Sequence, residues 1–259
     1  MVSRDRSARS PILHGMKSGS KRSRVMARWW LRQLSRLLET SLLPRVCPGC
    51  GGAARVAGTL CPACARMLEP VVAGAACPQC CGGLPCDDCA RFRGPIGRVQ
   101  AAFHYRGTAG GLVRRLKLEG DSGALGLLGR ALARRFVRGD AAYRRFVVVP
   151  VPLARRRWRE RGFNQAAALG TFVARRLSVP LKEHALTRVR ETEPQGSALV
   201  NSRRRNVERA FAVRRVSKTC VLLVDDVMTS GATLRECARV LRRAGVHEVE
   251  AVVAATARR

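Results

Sequence analysis

From Gly94 onward two apolar patterns alternate along the chain. Short continuous runs at Val99–Tyr105, Phe146–Val151, Cys220–Asp225 and Val249–Ala255 read as strands. Those at Phe146 and Cys220 lack a polar face and predict strands buried on both sides. Between the runs, apolar residues recur at helical spacing. Leu112, Val113 and Leu116 predict a short helix, and Leu127, Leu128, Ala131, Leu132 and Arg135 continue at the same period. Gln165–Leu177 predicts a helix with Leu169, Phe172, Val173 and Leu177 inward. Leu234, Cys237, Ala238 and Leu241 define another, closed by Gly245. Buried strands alternating with helices imply βαβ units, an α/β fold and a mostly parallel sheet flanked by helices.

Before Gly94 this order is absent. Residues 47–92 are rich in Cys, Gly and Pro and have little periodicity, so metal is expected to replace a core there. Residues 1–46 carry eleven basic and two acidic residues and read as a basic disordered start followed by an amphipathic helix. In that helix Trp30, Leu34, Leu37, Leu38 and Leu42 share one face, and Pro44 ends it. Packing on the next module is the expected use of this helix, with a membrane surface as the alternative. Met26 is an alternative start. Residues 185–215 lack clear order and read as a long functional loop. The expected division is therefore 1–46, 47–92 and 93–259.

Composition sharpens this picture. The chain has 259 residues, 46% hydrophobic, enough for a real core. No apolar run approaches the ~18 residues of a membrane span, so no transmembrane segment is expected. The basic start lacks an apolar stretch and cleavage site of the secretory kind, which points to a cytoplasmic location. Net charge is +31, and only five of the 49 basic residues are lysines. Such a surface is either a solvated coat or an attractor of phosphates, and charge alone does not choose.

Nine of the eleven cysteines lie between Cys47 and Cys89. They form Cys47-x2-Cys50 and Cys61-x2-Cys64, then Cys77-x2-Cys80 and Cys86-x2-Cys89. Each Cys-x-x-Cys turn wraps one metal with two thiolates, and two turns complete a closed tetrahedral site. Four turns predict two structural Zn²⁺ sites without catalysis, the turns paired in chain order or interleaved. Redox dithiols, disulfides and iron in the same cage are the alternatives. Cys81 is left over beside Cys80 and is a substitute ligand for that position.

The most specific stretch runs from Val221 to Thr233. Val221–Val224 form a buried strand, and Asp225 and Asp226 sit at its carboxyl end, where α/β sheets bind ligands. Met228-Thr229-Ser230-Gly231-Ala232-Thr233 then opens a helix. Small residues let backbone N–H groups approach a phosphate, and a helix N-terminus favours the anion. Paired carboxylates beside such a cradle suit ribose hydroxyls and Mg²⁺. A second stretch, Val149-Pro150-Val151-Pro152-Leu153-Ala154-Arg155, closes another strand, and Arg161-Gly162-Phe163-Asn164-Gln165 opens the next helix.

The Asp-Asp and Thr/Ser/Gly stretch resembles the 5-phosphoribosyl-1-pyrophosphate (PRPP) motif of type I phosphoribosyltransferases. The wider set narrows the resemblance to the competence-protein ComF family: the Cys-x-x-Cys turns, Lys117-Leu118-x-Gly120-Asp121, Val149-Pro150-Val151-Pro152, Arg161–Gln165 and the PRPP motif. The resemblance implies a type I phosphoribosyltransferase-like fold behind an N-terminal double zinc ribbon. It implies that Asp225 and Asp226 hold the ribose 2′ and 3′ hydroxyls. It implies that Met228, Thr229, Ser230, Gly231, Ala232 and Thr233 hold the 5′-phosphate. Pro152, Leu153, Ala154 and Arg155 would meet the pyrophosphate, with Arg161 as a further cation and Mg²⁺ accompanying PRPP. The segment Thr192–Phe211 resembles that family's mobile active-site loop. Members of the family are associated with DNA uptake in natural transformation, and some with gluconate use. Two function classes follow. One is pentosyl transfer from PRPP or a related phosphoribosyl ligand. The other is a non-catalytic adaptor that contacts single-stranded DNA or a DNA-uptake helicase.

Overall fold

A run such as Val221-Leu222-Leu223-Val224 has no polar face and is stable in a sheet only with both faces covered. The computed structural model describes residues 46–72, 74–84, 86, 89, 94–190, 207–214, 216 and 220–258. Its strands are β1 (Arg98–His104), β2 (Phe146–Pro150), β3 (Leu186–Arg188), β4 (Phe211–Val213), β5 (Cys220–Met228) and β6 (Glu248–Thr256). Its helices are α1 (Pro62–Arg66), α2 (Gly107–Glu119), α3 (Ser122–Ala133), α4 (Arg155–Arg161), α5 (Gln165–Leu177) and α6 (Ala232–Arg243). Four strands form one sheet in the order β1-β6-β5-β2, every neighbouring pair parallel. The expected α/β architecture is therefore present.

Alternation along the strands divides the core in two. Val148, Leu222, Val224, Val252 and Ala254 face α2, α3 and α5, whose Leu112, Leu116, Leu128, Leu132, Leu169 and Leu177 fill that side. Val149, Val221, Leu223, Ala251 and Val253 face α6, whose Leu234, Cys237, Ala238 and Leu241 are fully buried. All four apolar positions expected for α6 are thus core. Phe172 departs from expectation. It is half-buried, and its ring lies where a side chain at Gly129 would begin, with Phe172 Cδ2 2.5 Å from that point. The large ring and the missing side chain together let α3 and α5 approach closely.

Residues 185–215 are more ordered at their ends than their composition suggests. Leu186, Thr187 and Arg188 pair antiparallel with Val213, Ala212 and Phe211, forming a small second sheet against the α6 side. Leu186 and Phe211 are buried, and that anchorage overrides the polar composition between them. Residues 191–206 of the expected active-site loop, and the expected basic start and helix through Leu42, lie outside the described residues. The Arg155–Arg161 run, between the strand and helix expected there, forms a helix of its own, α4.

The Cys-rich segment packs on the α/β region along two seams. One is α2 and the start of α3: Thr108 Oγ1 donates to the Cys64 carbonyl (2.9 Å), and a side chain at Gly123 would begin 3.2 Å from Pro48. The other is the outer side of β1. There Val71 N–H donates to Ala102 O (3.0 Å), His104 N–H to Glu69 O (2.9 Å) and Val99 N–H to Pro78 O (2.6 Å). At the opposite side of the sheet, Val148 N–H donates to Pro180 O (2.9 Å) and Lys182 N–H to Val148 O (2.8 Å). Among the described residues no helix is long and apolar enough to cross a membrane.

Candidate functional site

The two stretches singled out in sequence meet at the carboxyl ends of adjacent strands. β2 pairs with β5 from Phe146↔Cys220 to Pro150↔Val224, and Val151 N–H then donates to Val224 O (2.9 Å). Pro152, Leu153 and Ala154 therefore leave the sheet beside Asp225 and Asp226. Ala154 caps α4, and Arg155 is its first residue. α4 ends at Gly162, whose left-handed backbone (φ 78°) turns the chain back to the sheet. Asn164 then does two jobs. Its Oδ1 accepts from Ala166 N–H (3.0 Å), capping α5, and its Nδ2 donates to Val151 O (3.0 Å), tying the turn to the end of β2. Phe163 is buried below, and Arg161 Nη1 donates to the buried Gln165 Oε1 (3.2 Å). Each residue of Arg161–Gln165 thus holds α4 over the strand ends. Burial pulls the Arg161 guanidinium below its ordinary pKa, while the Asp226 carboxylate opposes the shift.

As successive strand residues, Asp225 and Asp226 have different neighbours. Asp226 is 9% exposed and its Oδ1 lies 3.0 Å from Lys117 Nζ, which comes from the last turn of α2. Asp225 Oδ1 accepts from the Asp226 N–H (2.8 Å). Burial, then the Asp226 charge, push the Asp225 carboxyl up to about 7, against the opposing pull of Lys117 and Arg188. Arg188 also lies over the Phe211 ring, 5.3 Å from its centre.

After Met228 the chain turns through Thr229 and Ser230 to Gly231, which begins α6 with φ 73°. The Arg235 guanidinium donates to the Ser230 carbonyl, and Ala257 N–H to Met228 O (2.8 Å), so the turn is held from both sides. Ala232 and Thr233 form the first turn of α6, whose N–H groups carry the helix's positive end. The turn and the start of α6 thus lie at the end of β5, which carries the two carboxylates. The carboxylate oxygens are hard donors that fit Mg²⁺.

Sequence reasoning gave Lys117 a place in a motif but no role at the site. The available signal was its identity, since lysine supplies five of 49 basic residues. Glu236 was missed altogether. It is 2% exposed on α6, accepts from Arg209 N–H at Oε1 (2.8 Å) and pairs with Arg239. It fixes the start of β4's approach to α6, and nothing in its sequence neighbourhood announces that.

The cysteines fall into two groups, Cys47/Cys50/Cys61/Cys64 and Cys77/Cys80/Cys86/Cys89, with all four sulfurs in each within 4.8 Å of one another. Cys50 and Cys61 sulfurs are 3.8 Å apart, and Cys80 and Cys86 3.5 Å. A tetrahedron with metal–sulfur bonds of about 2.3 Å has edges of about 3.8 Å, so the donors fit zinc. Gly49 and Cys61 N–H groups donate to Cys47 Sγ at 3.3 and 3.2 Å, as thiolates require. Pairing follows chain order, without interleaving. Cys81 does not replace Cys80. Its thiol turns inward to Val99 O (3.3 Å), 2% exposed.

With the geometry in hand, similarity to known proteins is informative. Residues 164–259 match the phosphoribosyl transferase domain model. The chain is 32% identical over 212 residues to the DNA utilization protein YhgH of Escherichia coli O157:H7, covering 79% of this chain and 87% of that one. The chain belongs to the ComF family. Two further relatives carry the competence name. Competence protein F of Haemophilus influenzae is 40% identical over 109 residues, covering 40% of this chain and 47% of its own. Competence protein ComFC of Bacillus subtilis is 27% identical over 201 residues, covering 72% and 79%. The ComF assignment accounts for the combination of a phosphoribosyltransferase-type parallel sheet with two cysteine clusters consistent with zinc ribbons.

Proposed function

We propose that this competence-related protein binds Mg²⁺-PRPP at the carboxyl end of β5 and acts in DNA uptake or in nucleotide-linked metabolism, in the cytoplasm. The observation that carries the reading is the joining of Asp225–Asp226 to a Gly231-opened helix, beside the cationic turn from β2. On this reading residues 47–92 are a double zinc ribbon buttressing a phosphoribosyltransferase-like unit over 93–259. Asp225 and Asp226 hold the ribose 2′ and 3′ hydroxyls. Backbone N–H groups from Met228 to Thr233 hold the 5′-phosphate. Pro152, Leu153, Ala154 and Arg155 meet the pyrophosphate, and Arg161 offsets its charge.

Pentosyl transfer at such a site breaks the bond between the anomeric carbon and the pyrophosphate oxygen. The oxygen keeps the electron pair, and an acceptor nucleophile then bonds to the carbon. Mg²⁺ supplies charge neutralisation on the departing pyrophosphate. This chain's contribution is positioning and fixed positive charge.

A second reading is favoured by one observation. Arg155, Arg156, Arg157 and Arg159 are all exposed on α4, beside the cradle. A non-catalytic adaptor would use that row on the phosphates of single-stranded DNA or beside a helicase partner.

Calorimetric titration of Mg²⁺-PRPP into the metal-loaded protein and an Asp225→Asn/Asp226→Asn variant tests the first reading. Binding that the variant loses supports it. No binding by the folded wild type overturns it and moves the adaptor forward.

A further inference from the structure

We propose that Lys117 is a positioning residue of the phosphoribosyl site, holding the Asp226 carboxylate aimed at the ribose diol. The inference rests on the Mg²⁺-PRPP reading above and adds to it a residue from outside the two strand-end turns.

Asp226 is 9% exposed, and a buried carboxylate needs polar partners to fix its orientation. Among the described residues its direct ionic partner is Lys117, at 3.0 Å. Arg161 acts on the same carboxylate electrostatically while its Nη1 is engaged by Gln165. Asp225 is the neighbouring carboxyl, its Oδ1 taken by the Asp226 N–H.

A lysine in the last turn of a helix already has favourable company in the terminal carbonyls. Lys117 instead spans to another element. It is delivered by a helix that is fixed independently, because Leu112, Val113 and Leu116 are fully buried and Thr108 is bonded to the Cys64 carbonyl. The backbone that carries the lysine is therefore fixed within reach of Asp226.

Residue type supports the assignment. In a chain where 44 of 49 basic residues are arginine, the partner here is lysine. A guanidinium brackets both oxygens of a carboxylate, whereas an ammonium makes a point contact and leaves directions open for hydroxyl donors. That is the requirement of a carboxylate that must orient and still bind a sugar.

The test compares ribose 5-phosphate, 2-deoxyribose 5-phosphate and inorganic phosphate as probes on the full metal-loaded chain. Wild type is expected to prefer the ribose ligand over its deoxy analogue. Lys117→Met is expected to lose about tenfold in ribose 5-phosphate affinity, and with it that preference, while inorganic phosphate binding is unchanged. Lys117→Gln, which keeps a donor to Asp226 without the charge, serves if the methionine variant is unstable, with the same expectation. A variant that keeps the full ribose preference overturns the role of Lys117 alone. Equal weakening of inorganic phosphate also overturns it, since the lysine would then act on the phosphate. Wild type that binds no ribose 5-phosphate overturns the site reading itself.

Discussion

Gly51 and Cys81 hold the same turn position in the two cysteine ribbons. Gly51 follows Cys50 with φ 77°, and Cys81 follows Cys80 with φ 54°. The surrounding bonds repeat as well: Gly51 N–H donates to Cys47 O (2.7 Å), and Cys81 N–H to Cys77 O (2.8 Å). Cys81 therefore occupies a place that favours glycine, and its buried thiol is the compensation. Cys81→Gly relieves backbone strain of about 1 kcal/mol but loses a buried side chain worth about as much, so stability should change by less than about 1 kcal/mol. Metal analysis should still find two equivalents per chain, whereas Cys80→Ser should lose one. Loss of a metal from the Cys81 variant would restore it as a ligand.

Gly107 opens α2 with φ 50°, and a side chain there would begin 2.8 Å from the Met67 carbonyl oxygen. Both the backbone and the seam between α2 and the first ribbon exclude one. Gly107→Ala should cost about 1–3 kcal/mol. For a chain of this size each kcal/mol lowers the melting temperature by about 2–4 °C. A melt within a degree of wild type would show that the ribbon yields at this seam.

The elevated Asp225 carboxyl has a definite consequence for stability. In the unfolded chain it loses its proton near its ordinary value of about 4. In the folded chain burial and Asp226 hold the proton until about 7. Between those values the folded state binds more protons, so stability is fully present at low pH and is lost as pH rises through 7. Denaturant titrations of ligand-free protein should show this decline, and Asp225→Asn should flatten it. At pH 8 the asparagine variant should be the more stable protein and the poorer ligand binder. A variant as pH-sensitive as wild type would place the titration elsewhere.

Gly231 is the hinge between the strand-end turn and α6, at φ 73°. A β-carbon there would also lie 3.4 Å from Arg235 Nη1, the guanidinium that holds the Ser230 carbonyl. Gly231→Ala should disturb the cradle more than the core. We expect at least about a tenfold loss of inorganic phosphate affinity, with a stability cost of about 1–2 kcal/mol. Unchanged phosphate binding would take the 5′-phosphate away from this turn.

Much of this arrangement was legible because it depends on local pattern. The Gln165–Leu177 helix has the same bounds in sequence and structure, set by the Asn164 cap and the inward leucines. The four Cys-x-x-Cys turns were legible because each is a local unit, while their grouping in chain order came only with the structure. What escaped notice depends on distant partners. The ends of the 185–215 segment read as loop because the burial of Leu186 and Phe211 against the α6 side is tertiary. The helix over Arg155–Arg161 was not legible because it buries no side chain and so lacks an apolar stripe. Lys117 and Asp226 are separated by more than a hundred residues, and no periodicity links them.

The bonds from Glu69, Val71 and Pro78 to β1 have an implication for failure. An apolar parallel sheet with an open margin is a template for strand addition by another molecule. Here one margin is capped by the cysteine ribbons and the other by residues 180–182. The second cap is ordinary polypeptide, but the first is built around two cysteine groups that fit zinc. Stripping those sites by chelation, acid or thiol oxidation should therefore uncover β1. The symptom expected first is intermolecular association of an otherwise native sheet, with ligand binding failing as protein leaves solution.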